Sequence, residues 1–307
     1  MATLKVAVPA GIGDTLWVLT KMEALLSLEG AEKVDITVCS DPLRRAEDFL
    51  KRFSFVNSVS YCDLGILENP IATKEGYYNY APSQRNWHNR FDWFLQANGH
   101  LEAGNRLEDW FPELRTNWYI FDQYQWNAED YGWVAEKVAN QNYVVFYCGP
   151  ESGNTREGHN RGALWTPEDW KNLALKFISQ GLKIAIVGAE YDRSYLRHLS
   201  GFEYTDYVGK LPISHTLFTL CHAKCVIGYQ SGVTISAAFL GTPGAGFWRP
   251  QGDSVSTSHF ISFSEKMASA WVPPHMLENK LWLPCIYTKC SPESIFEYAK
   301  ENWLCEK

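Results

Sequence analysis

The chain has 307 residues, with 28 Lys and Arg against 35 Asp and Glu, and a formal net charge of −7 at pH 7. Its length predicts two domains of roughly 150 residues, and the acidic excess, carried by residues 1–140, argues against a broad polyanion-binding face. No apolar run reaches the ~18–20 residues of a membrane span, and the start lacks a signal-peptide pattern.

The eight cysteines are scattered rather than arranged as a disulfide framework. This usage is typical of reduced thiols, so we expect a cytoplasmic protein.

Strands and helices alternate in the first half of the chain. Apolar runs predict strands at 5–10, 34–40 and 56–62. Apolar residues at helical spacing predict helices at 14–30, where Gly30 ends the helix, and at 44–53. This β-α-β-α-β order predicts a parallel sheet with helices on both faces. The aromatic and Asn-rich stretch that follows, 66–120, predicts an irregular region with inserted loops, and a helix is expected at 129–140.

The alternation begins again at residue 143. Thr166 is a good N-cap for a helix at 166–181, because Pro occupies N1 and an acid occupies N3. The remaining pattern predicts a strand with a glycine-rich turn at 143–154, strands at 182–192, 205–210 and 224–232, and helices at 194–199, 214–223, 233–241 and 293–304.

The expected fold is therefore α/β, with two doubly wound Rossmann-like domains, 1–140 and 141–307, that face each other across a ligand cleft. The last helix could return to pack on the first domain.

The segment PAGIGD (9–14) joins the first strand to the first helix. A dinucleotide fingerprint needs G-x-G-x-x-G, and Leu16 stands where the third glycine should be, which disfavours an NAD site. Gly11 and Gly13 are then turn formers, and Asp14 lies at a helix N-terminus. Two interpretations stay open: Asp14 only caps the helix, or its carboxylate faces a substrate.

The segment VIGYQSGVTISAAFLGTP (226–243) runs from a buried strand into a helix of small residues. Backbone N–H groups at Ser231 and Gly232 would form an anion site suited to a diphosphate. The run GYQSG (228–232) does not match the G-x-S-x-G motif of a nucleophile elbow, because its serine stands one residue too late, and this disfavours a hydrolase.

Two further segments carry polar or metal-capable residues. Arg156 and Arg161, on a glycine-containing loop at 155–165, could clamp phosphates or simply lie on a solvated surface. The segment CHAKC (221–225) is better explained by a buried pair of thiols than by zinc, because no second Cys/His cluster supplies further ligands.

Together these segments resemble glycosyltransferase family 9, the bacterial heptosyltransferase family, which has the GT-B fold. The family's strand–G-x-G-D–helix signature is matched by GIGDTLWVLTKMEAL. Its second-domain signatures are similar to LWTPEDWKNLALKFISQGLKIAIVGAEYD and to VGKLPISHTLFTLCHAKCVIGYQSGVTISAAFLGTP. The resemblance covers residues 1–40 and 140–245 and is unspecific for the acceptor.

The resemblance implies an inverting transfer from a nucleoside-diphosphate sugar to an acceptor hydroxyl, without metal or other cofactor. Asp14 matches the family's general base, and Trp17 is assigned to the acceptor. The residues assigned to the donor and its diphosphate are Gly13, Arg156, Arg161, Glu190, Lys210, Gln230, Ser231, Gly232 and Thr234.

The chain also departs from the family pattern. Gln230 and Ile235 replace the usual Asp and His, and Ala163 stands where the family has a lysine, so Arg156 or Arg161 would have to meet the phosphate charge. The donor is therefore open. In the stretch 94–114, Asn98 could bind the acceptor and His100 or Glu102 could serve as a reserve base, or these residues simply belong to a loop and a helix.

Three functions remain in competition. The first is a glycosyltransferase acting on a saccharide or a protein. The second is a bacteriophage-type enzyme that glycosylates a hydroxymethylated pyrimidine in DNA, for which the aromatic insert would supply stacking. The third is a nucleotide-sugar-binding protein without transfer activity. The sequence does not indicate an oligomeric state.

Overall fold

A computed structural model describes residues 2–39, 44, 46–62, 83–85, 91–97, 105–127, 129, 132–133, 142–149, 165–248, 268–286 and 289–304. The chain divides into two units, Met1–Asn127 and Ala128–Lys307. The boundary predicted at residue 140 lies inside the second unit, and the predicted helix at 129–140 falls largely outside the described residues.

The first unit contains a mixed sheet. Its elements are β1 (Thr3–Val8), α1 (Ile12–Leu19), α2 (Met22–Glu29), β2 (Lys33–Cys39), α3 (Ala46–Leu50), β3 (Val56–Cys62), β4 (Ser83–Arg85), β5 (Trp93–Leu95) and a 3₁₀ helix at Ile120–Gln123. The described strands lie in the order β3-β2-β1-β5-β4. The first three are parallel, which confirms the predicted β-α-β-α-β sheet, and β4 runs antiparallel to β5.

The helix predicted at 14–30 is two helices, which corrects the sequence analysis. The break lies at Thr20, whose hydroxyl donates to the Trp17 carbonyl at 2.6 Å. The Thr20 carbonyl accepts from the Asn117 amide at 2.7 Å, so a distant segment takes the bond that a continuous helix would make. Gly30 ends the second helix with φ 64°, as predicted for a left-handed C-cap.

The strand β5 lies in the region that the sequence pattern left irregular. It pairs in parallel with β1, through Val6 opposite Trp93 and Ala7 opposite Phe94. With three residues it is too short to give a periodic signal.

The second unit contains a sheet in which every described strand pair is parallel. Its strands lie in the order β11-β10-β9-β6-β7-β8. The elements are β6 (Tyr143–Tyr147), α4 (Pro167–Ser179), β7 (Lys183–Ile186), a 3₁₀ helix at Glu190–Asp192, α5 (Arg193–Leu196), β8 (Thr205–Asp206), α6 (Ile213–Cys221), β9 (Cys225–Tyr229), α7 (Gly232–Phe239), β10 (Gly244–Trp248), α8 (Pro274–Glu278), β11 (Trp282–Ile286) and α9 (Pro292–Asn302).

The strands β10 and β11 were not predicted. Gly244 begins β10 so close to β9 that an added Cβ would collide with the Val226 carbonyl oxygen. The sequence around it, TPGAGFW, resembles a turn because glycine is common in turns, whereas here glycine permits close strand packing.

Aromatic side chains fill the core of the second unit. The Trp165 ring lies 4.6 Å from Phe247 and 5.1 Å from Trp170, centroid to centroid. The helix α4 covers this core and packs against α9. Its predicted N-cap is confirmed, because Thr166 Oγ1 accepts from the Asp169 amide at 3.2 Å in a capping box.

Candidate functional site

The second sheet changes direction of winding between β6 and β9. The chain proceeds from β6 towards β7 on one side and from β9 towards β10 on the other, while β6 and β9 are neighbours. Ligands of open α/β sheets bind outside the carboxyl ends of the strands at such a switch point. The residues that leave β9 at this edge begin with Gln230.

The helix α7 starts there with Ser231 as its N-cap. Ser231 Oγ accepts from the Val233 amide at 3.2 Å, and Thr234 Oγ1 accepts from the Ser231 amide at 3.0 Å. The Thr234 hydroxyl also lies 3.0 Å from the Tyr229 carbonyl, to which it donates. The Gly232 amide, the first of the helix, has no acceptor within the described ranges. Because the turn is only half-buried, this N-terminus can receive an anion.

Gln230 lies beside an aromatic pocket. The backbone N–H of Gln230 donates to the Phe247 carbonyl at 2.9 Å, which fixes the Gln230 backbone at the edge of the sheet. Three buried tryptophans line the pocket together with Gln230 and Thr234: Trp248, Trp271 and Trp282. None of these tryptophans was predicted as a site residue: Trp248 and Trp282 belong to β10 and β11, which were not predicted, and Trp271 lies outside the strands.

Glu190 and Lys210, both predicted donor residues, belong to one ion-pair network. Arg193 lies 2.9 Å from Glu190 and 3.2 Å from Asp206, and Lys210 lies 2.6 Å from Asp206. Burial raises the pKa of the Asp206 carboxyl, but hydrogen bonds from Lys210, the Val208 amide and Arg193 outweigh burial and lower that pKa overall. Glu190 is largely exposed. Its role towards a nucleoside stays a prediction.

Asp192 was not chosen from the sequence, although it ends the matched GAEYD segment. It is 4% exposed, and its carboxylate accepts from the Ala189 amide at 2.8 Å. The neighbouring Gly149 and Gly188 leave room for this carboxylate, because a Cβ on either would collide with it. Burial, and then the charge of Asp192, raise the pKa of the Cys148 thiol. The signal that could have identified Asp192 is its position as the last acid of the motif.

Asp14 occupies the third position of α1, and Gly11 is the N-cap residue. The Asp14 carboxylate folds back over Gly11. A Cβ added to Gly11 would collide with this carboxylate, since it would lie only 3.2 Å from Asp14 Cγ and closer still to one carboxylate oxygen. Thr15 Oγ1 donates to the Pro9 carbonyl at 2.9 Å and fixes the turn that leaves β1. Asp14 is half-buried. The structure thus holds a partly accessible carboxylate at a helix N-terminus, on the carboxyl edge of the first sheet.

Two neighbouring assignments need correction. Gly13 is a buried residue inside α1 rather than a turn former, because the turn is made at Pro9 to Gly11. Trp17, which was assigned to the acceptor, is 0% exposed and belongs to the core. The five remaining predicted residues lie outside the described residues: Asn98, His100, Glu102, Arg156 and Arg161.

Gln96 is a residue that sequence reasoning missed. It follows β5 directly, and the register of β5 against β1 places it beside Pro9. The side chain is 2% exposed, and neither of its amide atoms has a hydrogen-bond partner within the described part of the chain. A buried amide without partners is uncommon, so Gln96 is a candidate for contact with a ligand at this edge.

No group of three or more His, Cys, Asp or Glu in the described ranges is arranged to hold a metal ion. None of the helices within those ranges has the length and apolar character needed to cross a bilayer.

The predicted buried thiol pair at CHAKC is half correct: Cys225 is buried, but Cys221 is exposed at the end of α6.

Comparison with solved structures identifies the fold. The chain superposes on Escherichia coli ADP-heptose LPS heptosyltransferase II with a TM-score of 0.58 and 13% identity, over 99% of both chains. A glycosyltransferase of family 9 from Veillonella parvula gives 0.57 and 12%, over 98% of this chain and 97% of that one. E. coli heptosyltransferase WaaC with ADP-2-deoxy-2-fluoro heptose gives 0.52 and 14%, over 97% and 100%.

No family model matches the sequence, and no curated protein is detectably similar to it. The structural similarity confirms the predicted fold: this chain has the GT-B fold found in heptosyltransferases of glycosyltransferase family 9.

Proposed function

We propose that the protein is an inverting glycosyltransferase that moves a sugar from a nucleoside-diphosphate sugar to an acceptor hydroxyl. The proposal rests on the helix start at Ser231 and Gly232. This half-buried turn lies at the switch point of a sheet in a GT-B fold, and the Gly232 amide has no acceptor within the described residues. The helix N-terminus would bind the diphosphate and stabilise the charge that grows on it as the glycosidic bond breaks.

Asp14 is the proposed general base. Its carboxylate would take the proton of the acceptor hydroxyl while that oxygen attacks the anomeric carbon from the side opposite the diphosphate. The bond from the anomeric carbon to the diphosphate breaks as the new bond forms, so the configuration inverts. The half-buried position of Asp14 on the carboxyl edge of the first sheet supports this role, because the carboxylate is accessible while its helix fixes its direction.

The substrates are proposed by chemical class. The structural neighbours include an ADP-heptose heptosyltransferase and a heptosyltransferase with ADP-2-deoxy-2-fluoro heptose, so ADP-sugars are the first donors to test. A saccharide hydroxyl is the preferred acceptor, since the acidic first half of the chain disfavours DNA. We further propose that transfer needs neither a metal nor a cofactor. Full activity is therefore expected in the presence of EDTA.

Donor binding is tested first. Thermal unfolding is measured with ADP, UDP, GDP and dTDP and with their sugars, and one of these ligands is expected to stabilise the protein by about 2.7 kcal/mol at 100 times its Kd. If none does so, the proposal fails. Stabilisation by NAD alone would indicate a nicotinamide enzyme instead.

Turnover of the bound donor is tested next, with the Asp14→Asn variant. Release of nucleoside diphosphate is expected to fall by about 100-fold or more while donor binding stays unchanged. Asp35→Asn is the matched control, because Asp35 is a carboxylate of the same unit whose hydrogen-bond donors within the described residues are Asn57 and Ser58 on the neighbouring strand. Equal turnover in both variants would remove Asp14 from the mechanism. Donor binding without any turnover by the unaltered protein would identify a nucleotide-sugar-binding protein.

A further inference from the structure

Two cysteines meet at the carboxyl edge of the first sheet. Cys39 is the last residue of β2 and Cys62 is the last residue of β3, and the two are paired in the ladder. Their sulfur atoms lie 3.6 Å apart. Cys39 is 8% exposed, whereas Cys62 is half-buried, so one of the two thiols can be reached from solvent.

An irregularity in β3 creates this pairing. Val34 pairs with Val56, but Asp35 pairs with Ser58, so Asn57 is an extra residue in β3. Without that bulge, Tyr61 would lie opposite Cys39 and the side chain of Cys62 would point to the other face. Both sulfurs instead lie on one face, where Cys62 packs against a cluster that contains Cys39, Ala7 and Phe94.

The geometry suits a covalent bond between the sulfurs. Neighbouring strands lie about 4.8 Å apart, which falls inside the range of about 4.4–6.8 Å that a disulfide needs between its Cα atoms. Closing the sulfur distance to about 2 Å requires rotation of two short side chains that already face each other.

We propose that Cys39 and Cys62 form a redox-active dithiol that hydrogen peroxide converts to an intramolecular disulfide. With peroxide, the thiolate of the accessible Cys62 attacks one peroxide oxygen, and the O–O bond breaks to give a sulfenic acid and water. The Cys39 thiolate then attacks the sulfenic sulfur and displaces a second water. Two thiols lose two electrons and two protons in total, and one peroxide is reduced to two waters.

Other cysteines of the chain provide internal controls. Cys148 and Cys225 are buried, and burial raises the pKa of both thiols, so they should remain reduced. Cys221 lies at the surface and has no cysteine paired with it in a strand ladder of the described residues, and burial raises the pKa of its thiol too, so it is not expected to form a link.

The test is peptide mapping of the full chain after exposure to hydrogen peroxide and alkylation, without reduction. We expect a linked peptide containing Cys39 and Cys62, about 2 Da lighter than the two reduced peptides together, which dithiothreitol separates. In the Cys62→Ser variant Cys39 has no partner for the link, so its thiol should still react with the alkylating reagent once the protein is unfolded. The Cys221→Ser variant should still form the link.

The proposal is overturned if Cys39 and Cys62 both remain thiols under hydrogen peroxide that oxidises glutathione added to the same solution. It is also overturned if the two are oxidised separately to sulfinic acids without a linked peptide. Neither result depends on whether the protein transfers sugars.

Discussion

The Lys21 ammonium donates a buried hydrogen bond to the Leu114 carbonyl at 2.8 Å, across 93 positions of the chain. A second, longer bond reaches the Phe111 carbonyl at 3.4 Å. Lys21 is 1% exposed. Burial lowers the pKa of its ammonium to about 8, although the nearby carboxylates of Glu108, Glu113 and Asp109 act in the opposite direction. This side chain attaches the segment after residue 105 to the break between α1 and α2.

Lys21 should make the first unit more stable at alkaline pH. Between pH 8 and 10.5 the folded state has released the Lys21 proton while the unfolded chain still holds it, so the free energy of unfolding rises with pH. The gain is on the order of 2 kcal/mol. Urea unfolding at about pH 7.5 and about pH 9.5 measures it, and a Lys21→Met variant should lack the gain. The same pH dependence in both proteins would contradict the prediction.

Charge at the start of α7 should control donor binding. Ser231→Asp keeps a good N-cap but places a carboxylate where the diphosphate is proposed to bind, so affinity for nucleoside diphosphates should fall by about 10-fold or more. Ser231→Asn caps the helix equally well without charge and is the matched control. Calorimetric titration of both variants decides the matter: equal affinities would place the diphosphate elsewhere.

Gly244 and Gly246 should respond differently to alanine. A Cβ at Gly244 collides with the backbone of Val226, which cannot move within the sheet, so Gly244→Ala should cost about 3 kcal/mol or more. At Gly246 the nearest atom, 3.3 Å away, belongs to the Trp282 ring, which can shift, and about 1 kcal/mol is expected. Thermal unfolding of the two variants gives the comparison. Similar losses would mean that strand spacing does not account for Gly244.

Removal of the α4 cap should weaken the second unit. Thr166→Ala removes the Oγ1 acceptor of the Asp169 amide and should cost about 1 kcal/mol. The control is Ser179→Ala at the other end of the helix, where an exposed hydroxyl donates only to the Lys176 carbonyl. Its effect should stay within about 0.5 kcal/mol. A larger loss in the control than in the cap variant would refute the prediction.

The sequence predicted most elements whose signals are local. The helix at α4 follows from Thr166, Pro167 and Asp169, and the strand at β3 from the run 56–62, because capping and apolar periodicity depend on neighbouring residues. The break at Thr20 could not be predicted, since it depends on Asn117, almost a hundred residues away.

The candidate site likewise contains residues that the local sequence indicates and residues that only the tertiary structure brings together. Ser231 and Gly232 were found because a strand, a glycine and a small-residue helix adjoin in sequence. Gln96 was missed because only the pairing of β5 with β1 brings it to the edge of its sheet, and the tryptophans near Gln230 were missed because only tertiary packing brings them to one pocket. Trp17 lies three residues after Asp14, a spacing that brings two side chains to the same side of a helix, but its side chain is 0% exposed in the core, and spacing alone does not reveal burial.

The placement of β5 beside β1 has a consequence for synthesis of the protein. The strand β1 needs β5 on one side, and the turn after α1 needs Asn117, so the first unit stays incomplete until Asn117, more than a third of the way along the chain, has left the ribosome. We expect nascent chains that end before β5 to be digested readily by a protease, and chains that extend past Asn127 to be protected.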